Sequence, residues 1–181
     1  MTSIRLLKAF GVLACLACTV TLLPPCKAHA QFGFLPGSSN VETIKIDELK
    51  ALLAKQKSQN DDAASSKDAA NETNFVLVDV RSDEEVQVSV IPGAITKAQY
   101  EKNRKQYQGK TVIAYCTVGG RSAKYASELA KQGTPVKNFK GSILEWVNAE
   151  LPLVTLDGKP TNRVHLYSDR YTAPKKYVQL P

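Results

Sequence analysis

The chain has 181 residues, enough for one α/β domain with a real core and some appendages but short for two such domains. Hydrophobic residues make up 43% and charged residues 23%, which excludes a wholly disordered, collagen-like or polytopic membrane chain. The formal net charge of +7 sits mostly at the ends, with +3 in residues 1–30 and +3 in residues 155–181, so the body is nearly neutral and offers no clustered basic surface for nucleic acid.

Arg5 and Lys8 precede an apolar stretch from Ala9 to Leu23, which is followed by Pro24, Pro25 and Ala28-His29-Ala30. This order of charge, apolar core and small-x-small predicts a secretory signal over residues 1–30, cleaved after Ala30, and hence an exported protein, periplasmic or secreted. The apolar stretch is shorter than the roughly 20 residues that span a bilayer, so membrane contact is expected only through a retained signal. Cys15, preceded by Val12-Leu13-Ala14, leaves lipidation as the weaker alternative. Cleavage removes Cys15, Cys18 and Cys26, so Cys116 becomes the lone thiol and an internal disulfide framework is excluded. With His29 also gone, His165 is the sole histidine, too few for a zinc site of Cys and His; neither metal nor cofactor is expected.

Residues 31–41 read as a loose leader to a domain over residues 42–154. Thr43-Ile44-Lys45-Ile46 alternates like a short strand, and Asp47 stands where the cap of a helix lined by Leu49, Leu52 and Leu53 would be. Residues 57–74 have no apolar side chain larger than Ala and predict a disordered insertion. Phe75-Val76-Leu77-Val78-Asp79-Val80 is a continuous aliphatic run, as in a strand covered on both faces. Ser82 and Glu85 supply a helix cap and its return partner. Ile91-Pro92-Gly93-Ala94-Ile95 turns into a short edge strand, and a helical segment from Lys97 to Tyr107 ends at Gly109. Thr111 to Tyr115 is a second buried strand, Ser122 to Gln132 a helix stopped by Gly133, Val136 to Phe139 a strand, and Ile143 to Asn148 a helix carrying a core Trp146. Strands alternating with helices at these lengths predict a mainly parallel sheet with helices on both faces. The basic tail, 155–181, has Arg163-Val164-His165-Leu166-Tyr167 followed by Tyr171, Pro174 and Tyr177. These aromatics predict a strap packed on the domain, with Lys159, Arg163, Lys175 and Lys176 on its surface. The alternatives are a floppy tail or a patch for an acidic partner or membrane.

Cys116 follows the second buried strand directly and opens the segment Cys116-Thr117-Val118-Gly119-Gly120-Arg121-Ser122, at the end of the sheet where such folds place ligands. Gly119 and Gly120 permit a tight turn with positive φ, so that backbone N–H groups converge on the sulfur. The helix that starts near Ser122 and the Arg121 cation both favour an anion there, and together these features predict a thiolate. A small buried hydrophobe is the plainer alternative for Cys116. Arg121 has two destinations open to it: into the pocket to bind an oxyanion, or outward to pair with Asp79. The first would make it a selector of anionic donors rather than the group that generates the nucleophile.

The chain resembles the rhodanese family of sulfurtransferases, in particular its single-domain members, over about residues 42–154. The landmarks are Leu77-Val78-Asp79-Val80-Arg81-Ser82, then Glu84-Glu85 and Ile91-Pro92-Gly93-Ala94, then Tyr115 to Ala123, and finally Phe139-Lys140-Gly141-Ser142 with Trp146 and Leu151-Pro152-Leu153. The resemblance implies an α/β, rhodanese-like fold with a five-stranded, mainly parallel sheet. It implies a cysteine persulfide on Cys116, with Arg121 as the other catalytic residue, the segment Thr117, Val118, Gly119, Gly120 and Ser122 as substrate cradle, and Asp79 and Arg81 as braces of the loop. It implies a small sulfur-containing anion such as thiosulfate as donor and cyanide or a thiol, small or on a protein, as acceptor. Ser89-Val90 stands where many members have Gly-His. A cysteine phosphatase or arsenate reductase on the same fold would need one more residue between Cys116 and Arg121. A non-catalytic partner-binding module is the alternative from another class, although such modules typically lack the cysteine.

Overall fold

A computed structural model describes residues 41–63 and 74–180. The expected signal, its cysteines, most of the leader and residues 64–73 of the insertion lie outside them. Among the described residues no helix is long and apolar enough to cross a membrane.

The order of elements is β1 (Glu42–Ile44), α1 (Ile46–Ala63), β2 (Phe75–Asp79), α2 (Asp83–Val88), β3 (Ala94–Thr96), α3 (Lys97–Lys102), a 3-10 turn (Arg104–Tyr107), β4 (Thr111–Tyr115), α4 (Gly120–Lys131), β5 (Val136–Phe139) and α5 (Ser142–Asn148). Four short strands follow: β6 (Leu153–Val154), β7 (Pro160–Thr161), β8 (Arg163–His165) and β9 (Val178–Leu180). The chain is α/β with a five-stranded, wholly parallel sheet of order β1-β5-β4-β2-β3. Side chains alternate across each strand, so the sheet separates two apolar layers. Phe75, Leu77, Ile113, Tyr115 and Phe139 face a layer with Leu49 of α1 and Ile143, Trp146 and Val147 of α5. Val76, Val78, Val112 and Ala114 face Tyr100 of α3 and Tyr125, Ala126 and Leu129 of α4. Burial on both faces is what the uninterrupted aliphatic runs encode. Trp146 is 4% exposed and its indole N–H donates to Pro152 O at 2.8 Å, which places it in the core.

Three boundaries differ from the sequence reading. The first strand ends at Ile44, and Asp47 lies inside the first turn of α1 instead of capping it. The same helix runs on to Ala63, into the stretch expected to be disordered. Residues 57–63 contain neither Gly nor Pro, and a helix already nucleated on Leu49 adds one hydrogen bond per residue without needing burial. The helix expected over 97–107 is interrupted at Asn103, whose amide is shared between the Gln99 and Tyr100 carbonyls while its side-chain amide donates to Gln99 O at 3.0 Å.

The carboxyl-terminal segment returns across the first layer. Val164, Leu166 and Tyr177 are buried in the same cluster as Leu49 and Trp146, and β8 pairs in parallel with β9. Tyr177 OH donates to Leu151 O at 2.5 Å, and Val90 and Val154 exchange backbone hydrogen bonds of 2.7 and 3.0 Å. Lys159, Arg163, Lys175 and Lys176 are exposed.

Candidate active site

Strand β4 is central, so its carboxyl end opens between the ends of β2 and β5, and Cys116 is the next residue. The thiol is buried, with 1% of the residue exposed. The Gly119 N–H donates to Cys116 Sγ at 3.1 Å. The Ser122 hydroxyl donates to Asn138 Oδ1 at 2.7 Å, with its oxygen 3.6 Å from the sulfur. Burial pushes the thiol pKa up, but the hydrogen bonds of Ser122, Val118 and Gly119 outweigh it and hold the thiol below its ordinary value. A lowered thiol pKa increases the thiolate fraction relative to a free cysteine.

The loop closes on α5. Ile143 and Leu144 N–H donate to the Cys116 and Thr117 carbonyls, each at 3.1 Å. Ser142 adopts φ +55°, a left-handed conformation that costs a non-glycine residue on the order of 1 kcal/mol. In that conformation its buried hydroxyl accepts from Cys116 N–H at 3.0 Å and donates to Phe139 O at 2.9 Å.

The two loop glycines are not equivalent, contrary to the sequence reading. Gly119 has φ +90°, and a Cβ built on it would stand 2.2 Å from the Lys140 carbonyl oxygen, so only glycine fits. Gly120 already belongs to α4, has no positive φ, and has open space where a Cβ would be.

Arg121 takes neither of the routes left open by the sequence. Its Nη1 and Nη2 donate to the two carboxylate oxygens of Glu85 at 2.6 and 2.9 Å, and Nη2 also donates to Thr117 Oγ1 at 2.8 Å. The Thr117 hydroxyl in turn donates to Glu85 Oε1 at 2.7 Å. Burial would raise the carboxyl of Glu85, but Arg121, Thr117 and the Ser82 amide bring it down to about 2. The Tyr167 ring lies against the guanidinium, 4.8 Å from Cζ to centroid.

Asp79 pairs instead with Arg81, through Nε to Oδ1 at 2.9 Å and Nη2 to Oδ2 at 2.7 Å, with both side chains wholly buried. Arg81 further donates to the carbonyls of Ser89 at 2.5 Å and His165 at 3.3 Å. The pair therefore ties the end of β2 to the segment before β3 and to β8. Ser89, of the Ser89-Val90 pair that departs from the family's common Gly-His, contributes its carbonyl to this tie. His165 accepts the Tyr167 N–H on Nδ1 at 3.0 Å, which sets the turn that lays Tyr167 on Arg121.

Cys116, Thr117, Val118 and Gly119 thus form the loop, and Gly120, Arg121 and Ser122 belong to the first turn of α4 that follows it. Sequence reasoning missed three participants. Glu85 was read as a cap partner alone, and it does accept from Ser82 N–H at 3.1 Å. Its second role could have been sought from Arg121, since a half-buried guanidinium needs a carboxylate. Ser142 and Tyr167 carry no comparable signal in the sequence. Among the described residues no cluster of three His, Cys, Asp or Glu side chains could hold a metal ion.

The rhodanese-like domain family matches residues 60–149. A sulfurtransferase of Allochromatium vinosum is 28% identical over 102 residues, covering 54% of this chain and 95% of that protein. A tRNA uridine(34) hydroxylase of Ruegeria pomeroyi is 33% identical over 95 residues, 47% of this chain but only 31% of that larger protein. A tRNA sulfurtransferase of Desulfurococcus amylolyticus is 34% identical over 71 residues, 39% of this chain and 14% of its own. Among solved structures, the BH2092 protein of Bacillus halodurans superimposes with a TM-score of 0.50 at 22% identity, over 63% of this chain and 77% of that one, a likeness of fold.

Proposed function

We propose, from the membership of this chain in the rhodanese-like family through residues 60–149, that it is a sulfurtransferase working through a persulfide on Cys116. The observation that carries the reading is the single-sulfur cradle: a buried thiol with Gly119 N–H at 3.1 Å and a pKa held down by the loop. The Cys116 thiolate attacks the outer sulfur of a sulfane donor, the donor's S–S bond breaks, and the remainder leaves with the bonding electrons. An acceptor thiolate or cyanide then attacks the outer sulfur of the Cys116 persulfide, and the thiolate returns. Negative charge on sulfur is met at each stage by loop N–H groups already in place. Retention of the cysteine, of Gly119 and of the bracing pairs supports catalysis over a partner-binding role.

Cys116→Ser tests this directly. It removes the nucleophile with almost no change in volume, so sulfur transfer from every donor should disappear while the melting temperature stays nearly constant. Intact mass after incubation with a donor should show one added sulfur in the wild type and none in the variant. Turnover retained by Cys116→Ser would refute the proposal.

A further inference from the structure

The loop's own cation is already committed. Both terminal nitrogens of Arg121 are spent on Glu85, one of them also on Thr117, and a face of the guanidinium is covered by Tyr167. The Glu85 side chain is 1% exposed, so this carboxylate is not dispersed by solvent. Arginine and glutamate together present zero formal charge, and what remains for a substrate is the set of N–H groups around one sulfur. Val118, 40% exposed, and Tyr167, 67% exposed, add apolar surface on the loop and on the turn that covers Arg121.

Resting on the sulfurtransferase reading, we infer that the donor carries at most one negative charge and an organic group, as an organic persulfide R–S–SH does, and that dianionic thiosulfate is a poor donor. Attack of the Cys116 thiolate on thiosulfate gathers three negative charges about the forming bond, beside an arginine whose charge Glu85 has cancelled. Attack on R–S–SH gathers one, and on its anion R–S–S⁻ two, fewer than thiosulfate in either form. In that step the bond between Cys116 Sγ and the outer sulfur forms, the donor S–S bond breaks, and the electron pair leaves on RS⁻, which takes up a proton. Sulfur is conserved and no external oxidant or reductant is needed. Tyr167, which lies against Arg121, is supplied by the tail, outside the segment that matches the family. Lys140, which borders the depression beside Val118 and Gly119, is the other cation that a dianion could use.

The test compares thiosulfate with benzenethiosulfonate, a monoanion with the same sulfane chemistry and an aromatic group, and with an alkyl persulfide. The full chain is used, and each rate of Cys116 persulfidation is divided by that donor's rate with a free low-molecular-weight thiol. The normalised rates for the monoanion and the persulfide should exceed that for thiosulfate by roughly tenfold or more. Added salt should raise the thiosulfate rate by a larger factor than the persulfide rate. In Glu85→Gln the uncompensated Arg121 should narrow the gap, whereas Lys140→Ala should leave it unchanged. A thiosulfate rate equal to or above the others in the wild type overturns the inference, whether or not Glu85→Gln folds. A gap widened by Lys140→Ala, which would show that the dianion is received by Lys140, overturns it as well. If no donor adds sulfur to Cys116, the sulfurtransferase reading itself fails, an outcome distinct from thiosulfate preference.

Discussion

Gly119 is where backbone conformation and chemistry meet most tightly. Its φ of +90° turns its own N–H onto Cys116 Sγ, and its missing side chain admits the Lys140 carbonyl. A methyl group there meets backbone, not a flexible side-chain end, so the loop itself must move. In Gly119→Ala the N–H should leave the sulfur, and the thiol pKa should return toward its ordinary value near 8.5. The sign is fixed by which form the hydrogen bonds favour. They favour thiolate, so iodoacetamide reactivity in the wild type should persist to lower pH than in a free cysteine. In Gly119→Ala the profile should shift upward, with reactivity at neutral pH falling by about tenfold for each unit. An unshifted profile would show that Gly119 is there for packing alone. Gly120→Ala, placed in open space, is the control and should behave as wild type. The loop was legible in the sequence because its parts are contiguous, from Cys116 to Ser122. Glu85, Ser142 and Tyr167 were not, because each meets the loop across a long separation, 36 residues for Arg121 and Glu85 and 26 for Cys116 and Ser142. Ser142 is the harder case, since nothing in Phe139-Lys140-Gly141-Ser142 says that the serine, and not its glycine neighbour, takes the left-handed turn.

At the scale of elements, the strands were legible and the helix ends were not. A strand buried on both faces must be apolar throughout, so β2 and β4 announce themselves; a helix end is decided by a few hydrogen bonds, as at Asn103 or along the polar extension of α1. Helix α2 shows how one short element serves two purposes. Glu85 caps its first turn and also holds Arg121 and Thr117, so α2 is pinned to the loop after β4 by charge. This pin has a pH dependence. The carboxyl is lowered from 4.5 to about 2 on folding, so its stabilisation is present above 4.5 and is lost as pH falls through about 2. Glu85→Gln should lower the melting temperature most at neutral pH, and the difference from wild type should shrink steadily between pH 4.5 and 2. A difference that stays constant across that range would mean that the carboxylate's charge contributes nothing to stability.

For the whole molecule, the tail is part of the core. Leu166 is 1% exposed and packs in the cluster that contains Ile44, Leu49 and Trp146. Leu166→Ala should cost about 2–5 kcal/mol in a denaturant titration, the range for a buried leucine in a core that cannot collapse around the gap. A loss below about 0.5 kcal/mol, the level of an ordinary surface substitution, would mean that the tail merely lies on the domain. The alternation in Arg163-Val164-His165-Leu166 pointed to packing, but not to which layer receives it, because pairing partners such as Val178 lie beyond an irregular stretch. The shared cluster also orders events in time. Ile44 and Leu49 leave the ribosome before Leu166 and Tyr177, with which they share one cluster. That cluster therefore cannot close until the segment from Leu166 to Tyr177 has been made, and Tyr167 reaches Arg121 only then. That order leaves the apolar face of the unfinished chain dependent on whatever shields it in the meantime.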